Sequence, residues 1–125
     1  MALKLYKDAA CTQEITAGSP LTTQHPIAGS SVTVQCYVKN DNSAKYYTGC
    51  SADPTGTDES FVQLSLDNTT YANAGAALTL ADFGSAGVSD TTVRNLWVKV
   101  TTPVESDSQN RSNVTINITA KEYAV

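Results

Sequence analysis

Strict alternation of apolar and polar residues is the feature that most constrains how this chain can fold. In residues 31–39 the apolar positions are Val32, Val34, Cys36 and Val38. Because successive side chains of a strand point to opposite faces of a sheet, this spacing predicts a half-buried β-strand. The same alternation in residues 94–100 and 113–120 predicts two more strands, with Leu96 and Val114 among their inward-facing residues.

Shorter strands are predicted at residues 3–6, 11–16, 45–50, 60–66 and 76–81, separated by segments rich in Gly, Pro, Asn, Asp and Ser. No stretch of ten residues keeps a helical period. Seven to eight short antiparallel strands in 125 residues are typical of an all-β, immunoglobulin-like β-sandwich, and we expect residues 1–125 to form a single domain.

Two connections follow from the same pattern. The polar segment 103–112 predicts a loop that joins strands 94–100 and 113–120 into a long antiparallel hairpin. The segment 17–29 lacks regular alternation, and it is the expected place for an irregular connection between strands or sheets.

Charge and hydropathy argue against two classes of partner. The net charge is -4, and eight Lys and Arg residues are spread along the whole chain, so no basic stripe is available for nucleic acid. The apolar runs are far shorter than the roughly 20 residues that a membrane-spanning helix needs. No secretory leader is recognised at the start, so we expect synthesis in the cytoplasm without export by that route.

Catalytic and metal-binding patterns are sparse. His25 is the single histidine, and Cys11, Cys36 and Cys50 form no CxxC pair. We therefore expect no enzyme activity, no cofactor and no metal. The acidic segment 53–59 offers oxygen ligands of the kind that Ca²⁺ uses, but it lacks the spacing of an EF-hand and is interpreted as a solvated turn. The thiols are expected to be reduced, and a bridge between Cys36 and Cys50 stays open.

Outward-facing aromatic residues are the best candidates for binding. If the strand of Trp97 lay between its hairpin partner and strand 45–50, Trp97 would share an outer face with Tyr46 or Tyr47. The same face would then carry Asn95, Lys99, Thr115 and Asn117. Aromatic rings among small polar groups suit a protein contact or stacking on a sugar ring. The alternative is that Trp97 only covers its own sheet.

Several segments, taken in order, resemble a known family. Residues 38–43 (VKNDNS) are similar to the strand and turn of CARDB-like immunoglobulin modules. They are followed by LSLDNTTY (64–71), LTLADF (78–83), LWVKVTTP (96–103) and a strand such as 114–120. With the opening LYKDAACT (5–12), this order resembles small immunoglobulin-like proteins among the structural genes of tailed phages. Asn42 and Asn68 stand where that family more often has Gly, and Asn tolerates the left-handed conformation of such turns.

The resemblance implies a virion structural protein, most simply a decoration protein that binds the assembled capsid. Its partner would be the major capsid protein or another virion protein, and it would be made in the host cytoplasm and located in the virion. A tail or baseplate position, a homo-oligomer, and a carbohydrate-binding or adhesin module on a host-surface glycan are the alternatives. The residues expected to contact a partner are Leu3, Lys4, Leu5, Tyr6, Tyr46, Tyr47 and Trp97, the first four as an edge strand completed by another chain.

Overall fold

Strands form nearly all of the regular structure in the computed structural model, which describes residues 1–105 and 109–125. Within those ranges the single helical element is a 3-10 turn at Glu59–Phe61. The strands are β1 (Leu3–Tyr6), β2 (Leu21–His25), β3 (Ser31–Asn40), β4 (Lys45–Thr55), β5 (Val62–Ser65), β6 (Leu78–Thr79), β7 (Gly84–Ser85), β8 (Val88–Ser89), β9 (Arg94–Thr101) and β10 (Gln109–Ala124).

Two four-stranded antiparallel sheets make up the domain. The first sheet has the order β1-β3-β9-β5 and the second β2-β10-β4-β6, while β7 and β8 form a small separate hairpin. The first order matches the A-B-E-D sheet of an immunoglobulin domain, and β10 lies beside β4 as strand F lies beside strand C. The prediction of an all-β sandwich is confirmed, with ten strands among residues 1–105 and 109–125 instead of seven or eight.

One strand departs from the usual arrangement. In an immunoglobulin domain the last strand, G, lies beside strand F, whereas here that edge is occupied by the second strand of the chain. β2 pairs antiparallel with β10, with His25 opposite Gln109 and Leu21 opposite Val114. The edge position that the C-terminal strand G occupies in an immunoglobulin domain is therefore occupied here by β2, a strand from the N-terminal part of the chain.

The core lies between the two sheets. Leu64, Leu96, Val98 and Val100 of the first sheet and Val114 of the second are fully buried. Each buried side chain of this kind contributes roughly 1.5–3 kcal/mol of transfer free energy. The alternation seen in the sequence therefore identified the inward-facing side of the strands that carry these residues.

The strongest strand predictions are confirmed by β3, β9 and β10, and the short strand Leu3–Tyr6 is confirmed by β1. Two other predictions are wrong. Residues 11–16 form no strand, although Glu14 makes an isolated bridge to Tyr6. The segment 17–29 is not irregular throughout, because it contains β2, whose inward positions hold Leu21, Thr23 and His25.

The predicted hairpin between residues 94–100 and 113–120 is also wrong. β9 pairs with β3 and β5 in the first sheet, and β10 pairs with β2 and β4 in the second. β9 and β10 therefore belong to different sheets. Of the predicted loop 103–112, residues 109–112 belong to β10, and residues 106–108 lie outside the described residues.

Candidate partner-binding face

Trp97 lies near the centre of the outer face of the first sheet. It is on β9, where its neighbours Leu96 and Val98 point into the core. In register it stands opposite Gln35 on β3 and Ser65 on β5. Trp97 is partly exposed, so part of the indole is available to a partner.

Two amide side chains border the indole. Gln35 and Asn95 are exposed, and Gln35 Nε2 donates a hydrogen bond of 3.1 Å to Asn95 Oδ1. An amide group has two N–H donors and an oxygen with two lone pairs, so each side chain has further hydrogen-bonding capacity. The face therefore combines an aromatic surface with donors and acceptors at adjacent positions.

A cation and a second aromatic ring lie farther along the same face. Lys99 is two residues beyond Trp97, and its Nζ lies 4.0 Å from the centre of the Tyr71 ring. Tyr71 is held in place by its hydroxyl, which donates to Asn68 Oδ1, and by the following residue, because Ala72 N donates to Leu64 O at 2.9 Å. Asn68 has the left-handed backbone expected of it, with φ of 58°. We call Gln35, Asn95, Trp97, Lys99 and Tyr71 together the Trp97 face.

The prediction that Trp97 shares an outer face with Tyr46 or Tyr47 is wrong. Tyr46 is on β4 in the second sheet, where its ring stacks on Tyr123. Tyr47 points into the core with no exposed surface, and its hydroxyl accepts a hydrogen bond from Ala2 N. Asn95 and Lys99 do share the face of Trp97 as expected, but Thr115 and Asn117 are on β10 in the other sheet. The error follows from the strand order, because alternation does not identify the neighbouring strand.

The contact predicted for β1, as an edge strand completed by another chain, stays a prediction. Leu3, Leu5 and Tyr6 are buried within the domain, so their side chains are not available to a partner. β1 is an edge strand of the first sheet, but part of its outer edge is covered, since Ile15 N donates to Leu5 O and Lys7 N donates to Gln13 O.

One of the two outward-facing residues of β1, Tyr6, is engaged inside the domain too. The Tyr6 hydroxyl donates to Asp41, and burial together with that carboxylate raises the pKa of Tyr6. Lys4 is partly buried and lies opposite Lys39, which forms an ion pair with Asp41 at 3.7 Å. Lys4 is therefore the one member of this strand whose side chain stays in reach of solvent.

His25 is held between two hydroxyl groups. Its Nε2 lies 2.7 Å from Thr23 Oγ1, and its Nδ1 lies 2.9 Å from Ser30 Oγ. A Ser–His contact resembles the nucleophile and base of a hydrolase, but no carboxylate of the described residues orients this ring. The imidazole is 3% exposed, which leaves a substrate no access to it. The geometry fits a side chain that fastens β2 to the turn before β3.

The acidic segment 53–59 is divided between two places. Asp53 and Thr55 belong to β4, where Pro54 is buried, so this part is strand and not turn. Asp58 pairs with Arg111 at 3.4 Å. In the part of the chain that the structure describes, no three His, Cys, Asp or Glu residues are grouped as metal ligands.

The three cysteines are free thiols. Cys36 on β3 and Cys50 on β4 are buried and belong to opposite sheets, whereas Cys11 is partly exposed. Burial raises the pKa of Cys36 to about 12 and also raises the pKa of Cys50. The bridge left open by the sequence is therefore absent from the structure.

Comparison with known proteins gives no family model that matches the sequence and no similar sequence among curated proteins. No helix in residues 1–105 and 109–125 has the length and hydrophobicity to cross a membrane.

Proposed function

We propose that this chain is a virion structural protein, most simply a decoration protein that binds an assembled capsid through the Trp97 face. The observation that carries the proposal is the partly exposed Trp97 among the exposed amides of Gln35 and Asn95. Trp and Tyr are enriched in the residues that dominate protein interfaces, and polar groups at the rim supply directional contacts. The resemblance to small phage structural proteins names the kind of partner, which is the major capsid protein or another virion protein.

The proposed role is binding without catalysis. A decoration protein that contacts neighbouring capsid subunits binds only where they hold the assembled arrangement. Binding to one state of an equilibrium stabilises that state by mass action. Many copies on one shell would then add their small contributions without a large interface for each copy.

The first test asks whether the protein is present in the particle. Mass spectrometry of purified virions from the phage that encodes this chain should detect it in many copies. Its absence from the virion would refute the proposal.

A second test locates the binding face. Trp97→Ala should weaken co-sedimentation with empty capsids by at least about thirtyfold, the loss expected for a residue that dominates an interface. Thr119→Ala is a matched control, since Thr119 is exposed on the outer face of the second sheet. Circular dichroism and thermal melting verify that both variants are folded. Equal binding by the two variants would contradict the assignment of the Trp97 face.

A carbohydrate-binding module is the second candidate, favoured by the same grouping of residues. An indole can stack on the apolar side of a sugar ring while the amides of Gln35 and Asn95 bond its hydroxyls. Glycan-array binding that is lost in Trp97→Ala would favour this candidate. Capsid binding with no signal on the array would eliminate it.

A further inference from the structure

A loop that follows β5 borders the Trp97 face. It comprises residues 66–71, and we call it the 66–71 loop. It leaves the first sheet at Ser65, which stands opposite Trp97. Its last residue is Tyr71, whose ring centre lies 4.0 Å from Lys99 Nζ. The loop therefore supplies one member of a face whose other members belong to strands.

Ser65 anchors the start of this loop. Its side chain is fully buried, and its hydroxyl accepts hydrogen bonds from Asp67 N at 3.2 Å and from Asn68 N at 3.0 Å. The same hydroxyl donates to Asp67 Oδ1 at 2.9 Å. A serine hydroxyl has one donor and two acceptor sites, so all three are in use here. The first turn of the loop is thus fastened to an edge strand of the first sheet.

Asp67 fastens the second half of the loop. Its Oδ1 accepts hydrogen bonds from Thr69 N and from Thr70 N, each at 2.9 Å. Aspartate side chains that bond the backbone a few residues farther on define the shape of a turn. The N–H groups of Thr70 and Thr69 and the Ser65 hydroxyl lower the pKa of Asp67, so the carboxylate is charged at neutral pH. One side chain therefore fixes the path of the backbone as far as Thr70.

These contacts hold the Tyr71 side chain before any partner arrives. Its hydroxyl donates to Asn68 Oδ1, and Asn68 adopts the left-handed backbone of this turn, with φ of 58°. The residue after Tyr71 is held as well, because Gln63 Nε2 donates to Ala72 O at 3.3 Å. Ordering a side chain on binding costs affinity, and a side chain that is already ordered avoids this cost. The ring of Tyr71 and the cation of Lys99 are therefore presented together.

Lys99 connects the loop to the indole. It is two residues beyond Trp97 on the same face of β9, which corresponds to about 7 Å along the strand. In the part of the chain that the structure describes, no carboxylate forms an ion pair with Lys99. Its charge is instead oriented by the Tyr71 ring through a cation–π contact. A displaced Tyr71 would therefore release both the ring and the cation from their places beside Trp97.

We propose that Asp67 is a positioning residue of the Trp97 face, which holds Tyr71 against Lys99 in the arrangement that the capsid contacts. Asp67 acts through the loop and does not itself touch the partner. The inference rests on the proposed function, because the partner is the capsid. It extends the contact from Trp97 to Tyr71 and Lys99, and it names the residue that keeps them in place.

Affinity for empty capsids, measured by co-sedimentation, tests this role. Asp67→Ala should weaken binding by about three- to tenfold, the factor expected when one side chain must be ordered on binding. Tyr71→Ala should weaken binding at least as much. Asp67→Ala should have no further effect in a Tyr71→Ala background, because Asp67 acts through Tyr71. Asp67→Asn removes the charge but keeps the Oδ1 acceptor for both N–H groups, so it should retain most of the affinity.

Asp8→Ala is the matched control. Asp8 Oδ1 accepts hydrogen bonds from Thr12 N and Gln13 N, each at 2.9 Å, in the loop that follows β1 at the opposite edge of the first sheet. Its replacement removes a comparable loop contact far from Tyr71. Capsid affinity should therefore stay within about twofold of the wild type.

Hydrogen exchange measures whether the loop is released. The amides of Thr69 and Thr70 should exchange faster in Asp67→Ala than in the wild type. Released amides with unchanged capsid affinity would overturn the positioning role, and so would unchanged exchange of these amides. Equal losses of affinity on adding Asp67→Ala to the wild type and to Tyr71→Ala would overturn the action through Tyr71. A wild-type chain that binds no capsid would refute the virion role and this inference together, whereas the other results leave the virion role intact.

Discussion

Tyr46 and Tyr123 face each other across β4 and β10 as directly opposed residues, and their rings stack with centroids 5.0 Å apart and an angle of 16° between planes. They lie at the end of the second sheet, beyond the point where the pairing of β10 with β4 shifts between Thr119 and Lys121. The stacked rings therefore stabilise the pairing of β10 with β4 on the C-terminal side of this irregularity.

We expect Tyr123→Ala to lower the free energy of unfolding by about 1 kcal/mol, since aromatic pairs contribute roughly 0.5–1.5 kcal/mol beyond their buried area. Tyr123→Phe keeps the ring and should be close to the wild type. Urea unfolding of Tyr46→Ala, Tyr123→Ala and the double variant gives the coupling energy. Additive effects of the two single changes would show that the stack contributes nothing.

Acid should destabilise the protein through Asp90. The Thr92 hydroxyl and Arg94 hold the pKa of Asp90 at about 2, below its ordinary value of 3.8. A lowered pKa in the folded state stabilises the protein above pH 4, and this contribution is lost as the pH falls toward 2.

Asp90→Asn should thus reduce stability at pH 6 and flatten its decline between pH 4 and 2. The decline should not vanish, because hydrogen bonds also lower the pKa of Asp8 and Asp67. Thr92→Val should act in the same direction, and Thr92→Ser, which keeps the hydroxyl, should not. An identical pH dependence in Asp90→Asn and the wild type would contradict this role.

Thiol labelling should separate the cysteines. The thiolate is the reactive form, and burial both blocks access to Cys36 and raises its pKa to about 12. Burial also raises the pKa of Cys11, but its side chain is partly exposed, so we expect a thiol reagent to modify Cys11 faster than Cys36 and Cys50 in the native protein, and all three cysteines in guanidinium chloride. Native Cys11→Ser should show no fast phase. Rapid labelling of Cys36 or Cys50 in the folded state would contradict the burial of these side chains.

Two glycines with left-handed backbones should respond differently to alanine. A Cβ at Gly29 would lie 2.4 Å from Thr102 O and 2.7 Å from Pro103 O, whereas a Cβ at Gly49 would meet nothing within 4 Å. Both substitutions carry the left-handed penalty of about 1 kcal/mol. Gly29→Ala should cost at least about twice as much as Gly49→Ala in urea unfolding, because only Gly29 adds a collision with backbone. Equal losses in the free energy of unfolding would show that the backbone around Gly29 shifts to accommodate the added Cβ.

The sequence was most informative where burial follows a strict period. The apolar faces of β3 and β9 were predicted correctly because Val38, Leu96 and Val98 alternate with polar residues. β2 escaped the same reasoning because two of its three inward positions hold Thr23 and His25, which are buried but polar. A hydrogen bond between Thr23 and His25 offsets the cost of burying these polar groups. The sequence alone does not reveal this hydrogen bond.

The order of strands in the sheets could not be predicted from the sequence either. Alternation says that Trp97 points outward, and this is correct, but it does not say which strand lies beside β9. Gln35 could have been placed near Trp97 only with the register of β3 and β9, which depends on long-range pairing.

The central place of β10 has a consequence for synthesis on the ribosome. Within the sheets, β2 pairs with β10 alone, and β4 otherwise meets just the two-residue strand β6. More than 80 residues must therefore be added after β2 emerges before its partner exists. Only the pairing of β1 with β3 can form early, because the rest of the first sheet needs β9 (Arg94–Thr101) and the second sheet needs β10 (Gln109–Ala124). The inner faces of both sheets therefore stay incomplete until late in synthesis. Pairings so distant in sequence also slow folding.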